Sequence, residues 1–283
     1  MIKKNNNISC VINTYNEENN IEYALRSVYK WVDEIIIVDM HSTDKTVEIA
    51  KRYGATVYLY RNLGFADPAR KFALSKATKK WIIMLDADEI IPIELSRELI
   101  KISKKDEYDI IDIPYLNYLL GEEIHYSGWN TGLDYHERFF KKGMLKTTKL
   151  IHNIISVNKD AKIYKIPYKK NNYIVHFNYI NTNHFLEKLN RYTTIEANQK
   201  FEKNEKSSIF KAIKFFTLEF GNRFIRRKGY KDGWRGFYLS LMMGFYRIAT
   251  YIKLKELEEV GNKSDVVRKY HNIANDIIDK YDL

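Results

Sequence analysis

Apolar and polar positions alternate through the first ninety residues in a way that predicts strands and helices in turn. Ile8-Ser9-Cys10-Val11-Ile12 is a short apolar run ending in the polar cluster Asn13-Thr14-Tyr15-Asn16-Glu17-Glu18. Ile21, Leu25 and Val28 then recur at helical spacing, with Ala24 beside them. Ile35-Ile36-Ile37-Val38 is an unbroken β-branched run, the pattern of a strand covered on both faces. Ser42-Thr43-Asp44 reads as a helix start, and Val47, Ala50 and Tyr53 continue the helix until Gly54 stops it. Residues 55–60 form a third strand pattern, 68–77 a helix and 81–85 a fourth strand. This rhythm predicts an open, mostly parallel α/β sheet with helices on both faces and right-handed crossovers.

In such sheets, ligands collect outside the carboxyl ends of the strands. Three polar clusters occupy those positions: Asn13 to Glu17, Asp39-Met40-His41-Ser42, and Asp86-Ala87-Asp88-Glu89. The first turn has no glycine, which argues against both a dinucleotide fingerprint and a phosphate-cradling P-loop. Asp86 and Asp88, two residues apart after a buried strand, can hold a hard divalent cation whose remaining positions go to water and phosphate oxygens. A plain helix-capping role is the alternative for that pair, and a turn role the alternative for Asp39. Arg70 sits in the first turns of a helix whose start faces the same crevice, where a guanidinium can meet a phosphate.

From about Asn183 the α/β rhythm gives way to helical periodicity. Ile209, Ile213, Phe216, Phe220 and Phe224 mark one apolar stripe, and Phe237, Leu241, Phe245, Ile248 and Ile252 another. Charge now changes the picture. Of 283 residues, 47 are Lys or Arg and 36 Asp or Glu, a net +11, but residues 1–100 balance at fourteen of each. Residues 206–255 carry twelve bases against Glu219 and Asp232, together with twelve of the forty aromatics. Basic helices with wide aromatic faces suit an anionic membrane surface, or the burial of a partner subunit. Nucleic acid is set aside, because the charge lies away from the crevice and no recognition motif accompanies it.

One cysteine, Cys10, leaves no internal disulfide framework, and seven histidines offer no zinc spacing. The most apolar uncharged stretch considered as a span, Gly236 to Tyr246, is too short to cross a bilayer, which takes about 20 residues. The apolar run after Lys3 and Lys4 is too short for a secretory leader. A cytoplasmic protein, peripheral on the inner face of the membrane, is the expectation.

Three segments together resemble the family 2 glycosyltransferases of GT-A fold: Val11 to Glu18, Ile37 to Thr46, and Trp81 to Glu89. The branch most resembled contains lipopolysaccharide-core glucosyltransferases, a similarity continued in Arg138 to Gly143, Ile151-His152 and Gly229 to Gly236. The resemblance implies a catalytic domain over 1–180, with a nucleotide-binding half (1–100) and an acceptor-side half (101–180), then a helical extension over 181–283. It implies a UDP-sugar donor, a glycan or lipid-linked acceptor, and Mg²⁺ or Mn²⁺. By the same resemblance Thr14, Tyr15, Asn16 and Glu17 would line the nucleotide pocket and Asp39 would accept from a uracil ring. Arg70, Asp86, Ala87 and Arg138 would lie along the donor, and Asp88, with Asp86 and His176, would serve the metal. Met40-His41 departs from the family's usual acidic or small pair, which places His41 at the ribose side.

The implied reaction is inverting transfer, with a base taking the acceptor's proton. The resembled branch has His-Glu where this chain has His152-Asn153, so the base is left among Asp134, Glu137 and His152. A weak or inactive donor-binding relative, and a sugar-phosphate nucleotidyltransferase, are the competing readings.

Overall fold

The computed structural model describes residues 5–62, 67–129, 132–147, 155–158, 160–169 and 171–281. The chain divides into two compact units, Met1–Phe185 and Leu186–Leu283.

The first unit begins with β1 (Ile8–Thr14), α1 (Ile21–Val28), β2 (Glu34–Asp39), α2 (Thr46–Arg52), β3 (Thr56–Leu59), α3 (Asp67–Lys76) and β4 (Trp81–Asp86). The four strands lie in the order β3-β2-β1-β4 and all pair in parallel. The chain leaves β1 first to one side and later returns to its other side, so a crevice opens at the carboxyl ends of β1 and β4. Beyond β4 the sheet turns mixed. After β5 (Glu89–Ile90) and α4 (Ile93–Lys105) come β6 (Ile110–Leu119), β7 (Glu122–Glu123) and β8 (Tyr135–Lys141). A separate antiparallel pair, β9 (Leu145–Thr147) and β10 (Ile155–Val157), precedes β11 (Ile163–Lys165) and β12 (Ile174–Tyr179). Strand β8 runs antiparallel between β4 and β6, and β12 continues beyond β6 to β5.

The period of two explains the two-sided core. Cys10, Ile12, Ile35, Ile37, Ile83 and Leu85 point to one face, which α1 and α4 cover with Leu25, Val28, Leu95 and Leu99. Val11, Ile36, Val38, Ile82 and Met84 point to the other, where α3 presents Ala69 and Ala73 and the residue just past its end, Ala77, completes the row. Three alanines at steps of four remove side-chain bulk from that helix face, so it packs directly on the β-branched residues beneath. The architecture is the GT-A type implied by the sequence, an α/β sheet with helices on both faces.

The second unit is helical. Helix α5 (Thr182–Glu202) runs into it, followed by α6 (Ile209–Gly221), a π-helical turn at Asn222–Arg226, α7 (Gly233–Glu259) and α8 (Lys263–Ile278). Helix α6 and the π-helical turn pack on α7 through Phe216, Phe220, Phe224 and Phe237. A Cβ on Gly244 would lie 2.9 Å from the Phe216 ring, so the missing side chain sets how closely the two helices approach. Among the described residues, no helix is long and apolar enough to cross a membrane.

Candidate active site

Register alone gathers the strand-end acids. Thr14 is opposite Asp39 across β1-β2, and Asn13 is opposite Asp86 across β1-β4. The loops that follow β1 and β2 are tied together: Asn16 N donates to Ser42 Oγ at 2.8 Å and Thr43 N to Asn16 Oδ1 at 2.8 Å. Glu17 N donates to Thr46 Oγ1 at 2.8 Å, while Glu18 N donates to Asp44 Oδ2 and Lys45 N donates to Glu18 Oε2, each at 3.0 Å. The fully buried Asp39 accepts from Ser42 N at 2.9 Å and from Ser42 Oγ, which fixes the turn after β2. His41 is exposed and takes the left-handed conformation at φ 64°, and Tyr15 is also exposed. Thr14 is buried, and neither its hydroxyl nor Asn13 Oδ1 has a hydrogen-bond partner among the described residues. Two orphaned polar atoms at the crevice floor are what a polar ligand would satisfy.

Around Asp86 the site is built from paired charges. Arg70 spans both carboxylate oxygens at 2.8 and 2.9 Å, and Arg138 reaches Oδ2 at 2.8 Å. Arg138 also donates to Glu89 Oε1 at 3.0 Å, where the Tyr115 hydroxyl donates as well. Glu89 Oε2 accepts from Asp86 N at 2.9 Å. Arg138 owes its place to an irregularity of the sheet. Ile111 pairs with Phe139 and Asp112 with Glu137, so β8 carries one extra residue, Arg138, opposite a single step of β6. Such a bulge re-aims a side chain, here toward the buried acids. Burial works to raise the Asp86 carboxyl, but Arg138 and Arg70 outweigh it and hold the group well below the ordinary carboxylate range. Glu89 goes the other way: burial raises it, and Asp86 adds to that push against the pull of Arg138.

A second chain of contacts starts at Asp88. His176 Nε2 lies 3.6 Å from Asp88 Oδ2, and its Nδ1 is 3.0 Å from Asn117 Oδ1. Asn117 Nδ2 donates to Asp134 Oδ2 at 2.7 Å, and Asp134 Oδ1 lies 3.0 Å from His136 Nε2. Pairing of β12 with β6 puts His176 directly opposite Asn117, and Phe177 N donating to Asp88 O at 3.0 Å anchors the acid to that strand. Both imidazoles stand edge-on to the Tyr115 ring, His136 at 4.6 Å and His176 at 5.9 Å between centroids. Burial works to lower His176, yet Asp88, with Glu89 and Asp86 behind it, lifts it above the ordinary imidazole value.

The structure thus brings Asp86, Ala87, Asp88, Arg70, Arg138, Asp134 and His176 into one neighbourhood. Glu137 is elsewhere: it pairs in register with Asp112, while its neighbour His136 pairs with Ile113, so the two side chains occupy opposite faces of the sheet. His152, with Asn153, lies outside the described residues. Glu89, Tyr115, Asn117 and His136 join the cluster without having been singled out. Glu89 adjoins the paired aspartates in sequence, but Asn117 and His136 carry no sequence signal, because only the pairing of β6 with β8 and β12 brings them in.

Among the described residues no group of three or more His, Cys, Asp and Glu side chains forms a metal cage. Asp86 is committed to two arginines, which leaves Asp88 and His176 as the side chains able to offer one oxygen and one nitrogen. That pair fits a cation whose other ligands are phosphate oxygens and water, and the mixed donor set suits Mn²⁺ better than Mg²⁺.

The profile of glycosyl transferase family 2 matches residues 9–159, more than half of the chain. An uncharacterised glycosyltransferase of Rickettsia typhi is 29% identical over 275 residues, covering 95% of this chain and 94% of the relative. Among solved structures, Staphylococcus aureus TarS 1–349 in complex with UDP is similar with a TM-score of 0.44 and 16% identity, over 89% of this chain and 90% of that one. Glucosyl-3-phosphoglycerate synthase of Mycobacterium tuberculosis, in complex with Mn²⁺, UDP and glucosyl-3-phosphoglycerate, gives 0.33 and 25%, over 39% and 44%.

Proposed function

The chain belongs to glycosyl transferase family 2 and is a glycosyltransferase, and from that premise we propose that it moves a sugar from a UDP-sugar to a hydroxyl of a glycan or lipid-linked acceptor with inversion. The observation that carries this reading is the placement of Asp39, Thr14 and Asp86-Ala87-Asp88 at the carboxyl ends of three adjacent parallel strands. Asp39, Thr14, Tyr15, Asn16, Glu17 and His41 would receive the nucleoside, with Asn13 and Thr14 supplying polar atoms that still lack partners. Asp88 and His176 would hold a divalent cation on the diphosphate, and its chemistry when bound is to offset the charge that grows on the leaving group.

Arg70 and Arg138 do a different job in this reading. Locked onto Asp86, they bring positive charge to the donor side of the crevice while keeping Asp86 ionised. A preorganised ion cluster of this kind stabilises developing negative charge without reorganising during the reaction. His176 must give up its proton to ligate, so cation binding would release protons and strengthen as pH rises through the imidazole range.

Calorimetry with UDP and Mn²⁺ tests the assignment. Asp88→Ala is expected to lower Mn²⁺-dependent UDP affinity at least tenfold, and an unchanged affinity would remove the metal role. Incubation with a panel of UDP-sugars and membrane lipid extract then reads transfer. UDP binding without turnover of any sugar would favour the inactive relative.

Support for a lipid-linked acceptor in cell-surface glycan synthesis comes from the helical unit. Phe210 is 82% exposed, with Ile209, Ile213, Leu218, Ile225 and Trp234 also exposed beside Lys211, Lys214, Arg226 and Arg227. Apolar surface this extensive, mixed with bases, fits the interface of an anionic bilayer.

A further inference from the structure

We infer that His136, oriented by Asp134, is the base that takes the proton of the acceptor hydroxyl; this rests on the glycosyl-transfer reading above. Asp134 itself has both carboxylate oxygens engaged, Oδ1 with His136 Nε2 at 3.0 Å and Oδ2 with Asn117 Nδ2 at 2.7 Å. An ionised carboxylate can only accept, so the bond to Oδ1 puts a hydrogen on His136 Nε2. The neutral ring is therefore left with a lone pair on Nδ1, and that nitrogen has no hydrogen-bond partner among the described residues.

Three further contacts fix the ring. Tyr115 packs edge-on against it at 4.6 Å. Asn117 holds the far oxygen of Asp134 and is itself held by the Trp129 carbonyl at 3.0 Å, so the carboxylate cannot swing away. The other end of Asn117 meets His176, which faces Asp88. One amide thus ties the proton-accepting end of the site to the diphosphate end. Meanwhile the His136 side chain remains 48% exposed, open to an acceptor arriving from solvent.

The step balances with these groups alone. The acceptor oxygen forms a bond to the anomeric carbon, and the bond from that carbon to the diphosphate oxygen breaks, its electron pair leaving with the nucleoside diphosphate. The hydroxyl proton passes to His136 Nδ1, and the resulting imidazolium is stabilised by Asp134 until solvent takes the proton. Asp134 is in this scheme a positioning residue, which distinguishes it from a carboxylate base acting directly. Burial works to raise its carboxyl, but the bonds from His136 and Asn117 draw it below the ordinary range, which suits a permanent anion better than a proton acceptor.

Two measurements on the full chain test this. Nitrogen-15 spectra of the imidazoles, with His136 assigned by its loss in His136→Gln, should show the Nε2-H tautomer in the wild type and a mixed population in Asp134→Asn. Hydrolysis of UDP-glucose, UDP-galactose and UDP-N-acetylglucosamine, with water as the acceptor, should fall by about 10²-fold or more in kcat in His136→Ala. The donor KM and UDP affinity should not change, and added imidazole should restore part of the rate. A dominant Nδ1-H tautomer, or a kcat within twofold of wild type in His136→Ala, overturns the assignment. So does a full loss in Asp134→Asn that leaves His136→Ala active, since that makes the carboxylate the base. If the wild type turns over no sugar, it is the transfer reading that fails, and the tautomer alone decides whether the dyad is built as described.

Discussion

Arg138 shows how much of the site hangs on one side chain. It is nearly buried and is shared between Asp86 and a completely buried Glu89. Arg138→Met would leave Glu89 without its cationic partner and Asp86 with Arg70 alone, so a loss of about 3–5 kcal/mol is expected in denaturant unfolding. Glu89→Gln should also destabilise, by about 1–3 kcal/mol, because the amide can keep its oxygen for Arg138 and Tyr115 only by turning its NH2 toward Asp86 N, which then loses its acceptor. His176 gives the pH signature. Its folded-state value is raised, so its contribution is complete below the unfolded value of about 6.5 and is lost as pH rises through the folded one. The melting temperature of the metal-free protein should therefore fall as pH rises above about 6.5, and His176→Gln should flatten that slope.

At the scale of elements, small departures from regularity place the chemistry. The bulge in β8 turns Arg138 toward the acids, and removing that extra residue would delete the guanidinium and turn the side chains beyond it to the opposite faces of the sheet. In the helical unit a Cβ on Gly236 would sit 1.9 Å from the Gly229 carbonyl oxygen, a backbone atom that cannot step aside cheaply. Gly236→Ala gains about 1 kcal/mol of helix propensity but should lose about 3 kcal/mol to overpacking. A net drop in the unfolding midpoint is expected. Long, periodic elements such as α1, α2 and the four parallel strands were legible in the sequence, since their apolar spacing is local. The bulge was not, because it exists only relative to the partner strand β6.

For the whole molecule, charge is segregated. The first hundred residues are neutral, and the helical segment 206–255 carries most of the excess together with twelve of the forty aromatics. Each Lys or Arg near an anionic bilayer contributes roughly 1 kcal/mol, an attraction that salt screens. The protein should sediment with phosphatidylserine-containing vesicles at low salt, not with neutral ones, and Phe210→Asp should weaken binding severalfold. Equal binding to neutral vesicles, or none to anionic ones, would falsify the peripheral-membrane proposal.

By itself the sequence determined the strand–helix rhythm, the acids at the strand ends and the place of the basic, aromatic segment, all of which depend on neighbours a few residues apart. It brought Asp39, Asp86 and Asp88 to one edge because a parallel sheet aligns its carboxyl ends. Only the tertiary structure decided how those acids are used. It committed Asp86 to Arg70 and Arg138, set Glu137 on the opposite face from His136, and assembled Asp88, His176, Asn117, Asp134 and His136 from four separated segments. Pairings of that kind are fixed by strand register across a mixed sheet, and hydrophobic periodicity within a strand carries no information about which residue of another strand will face it.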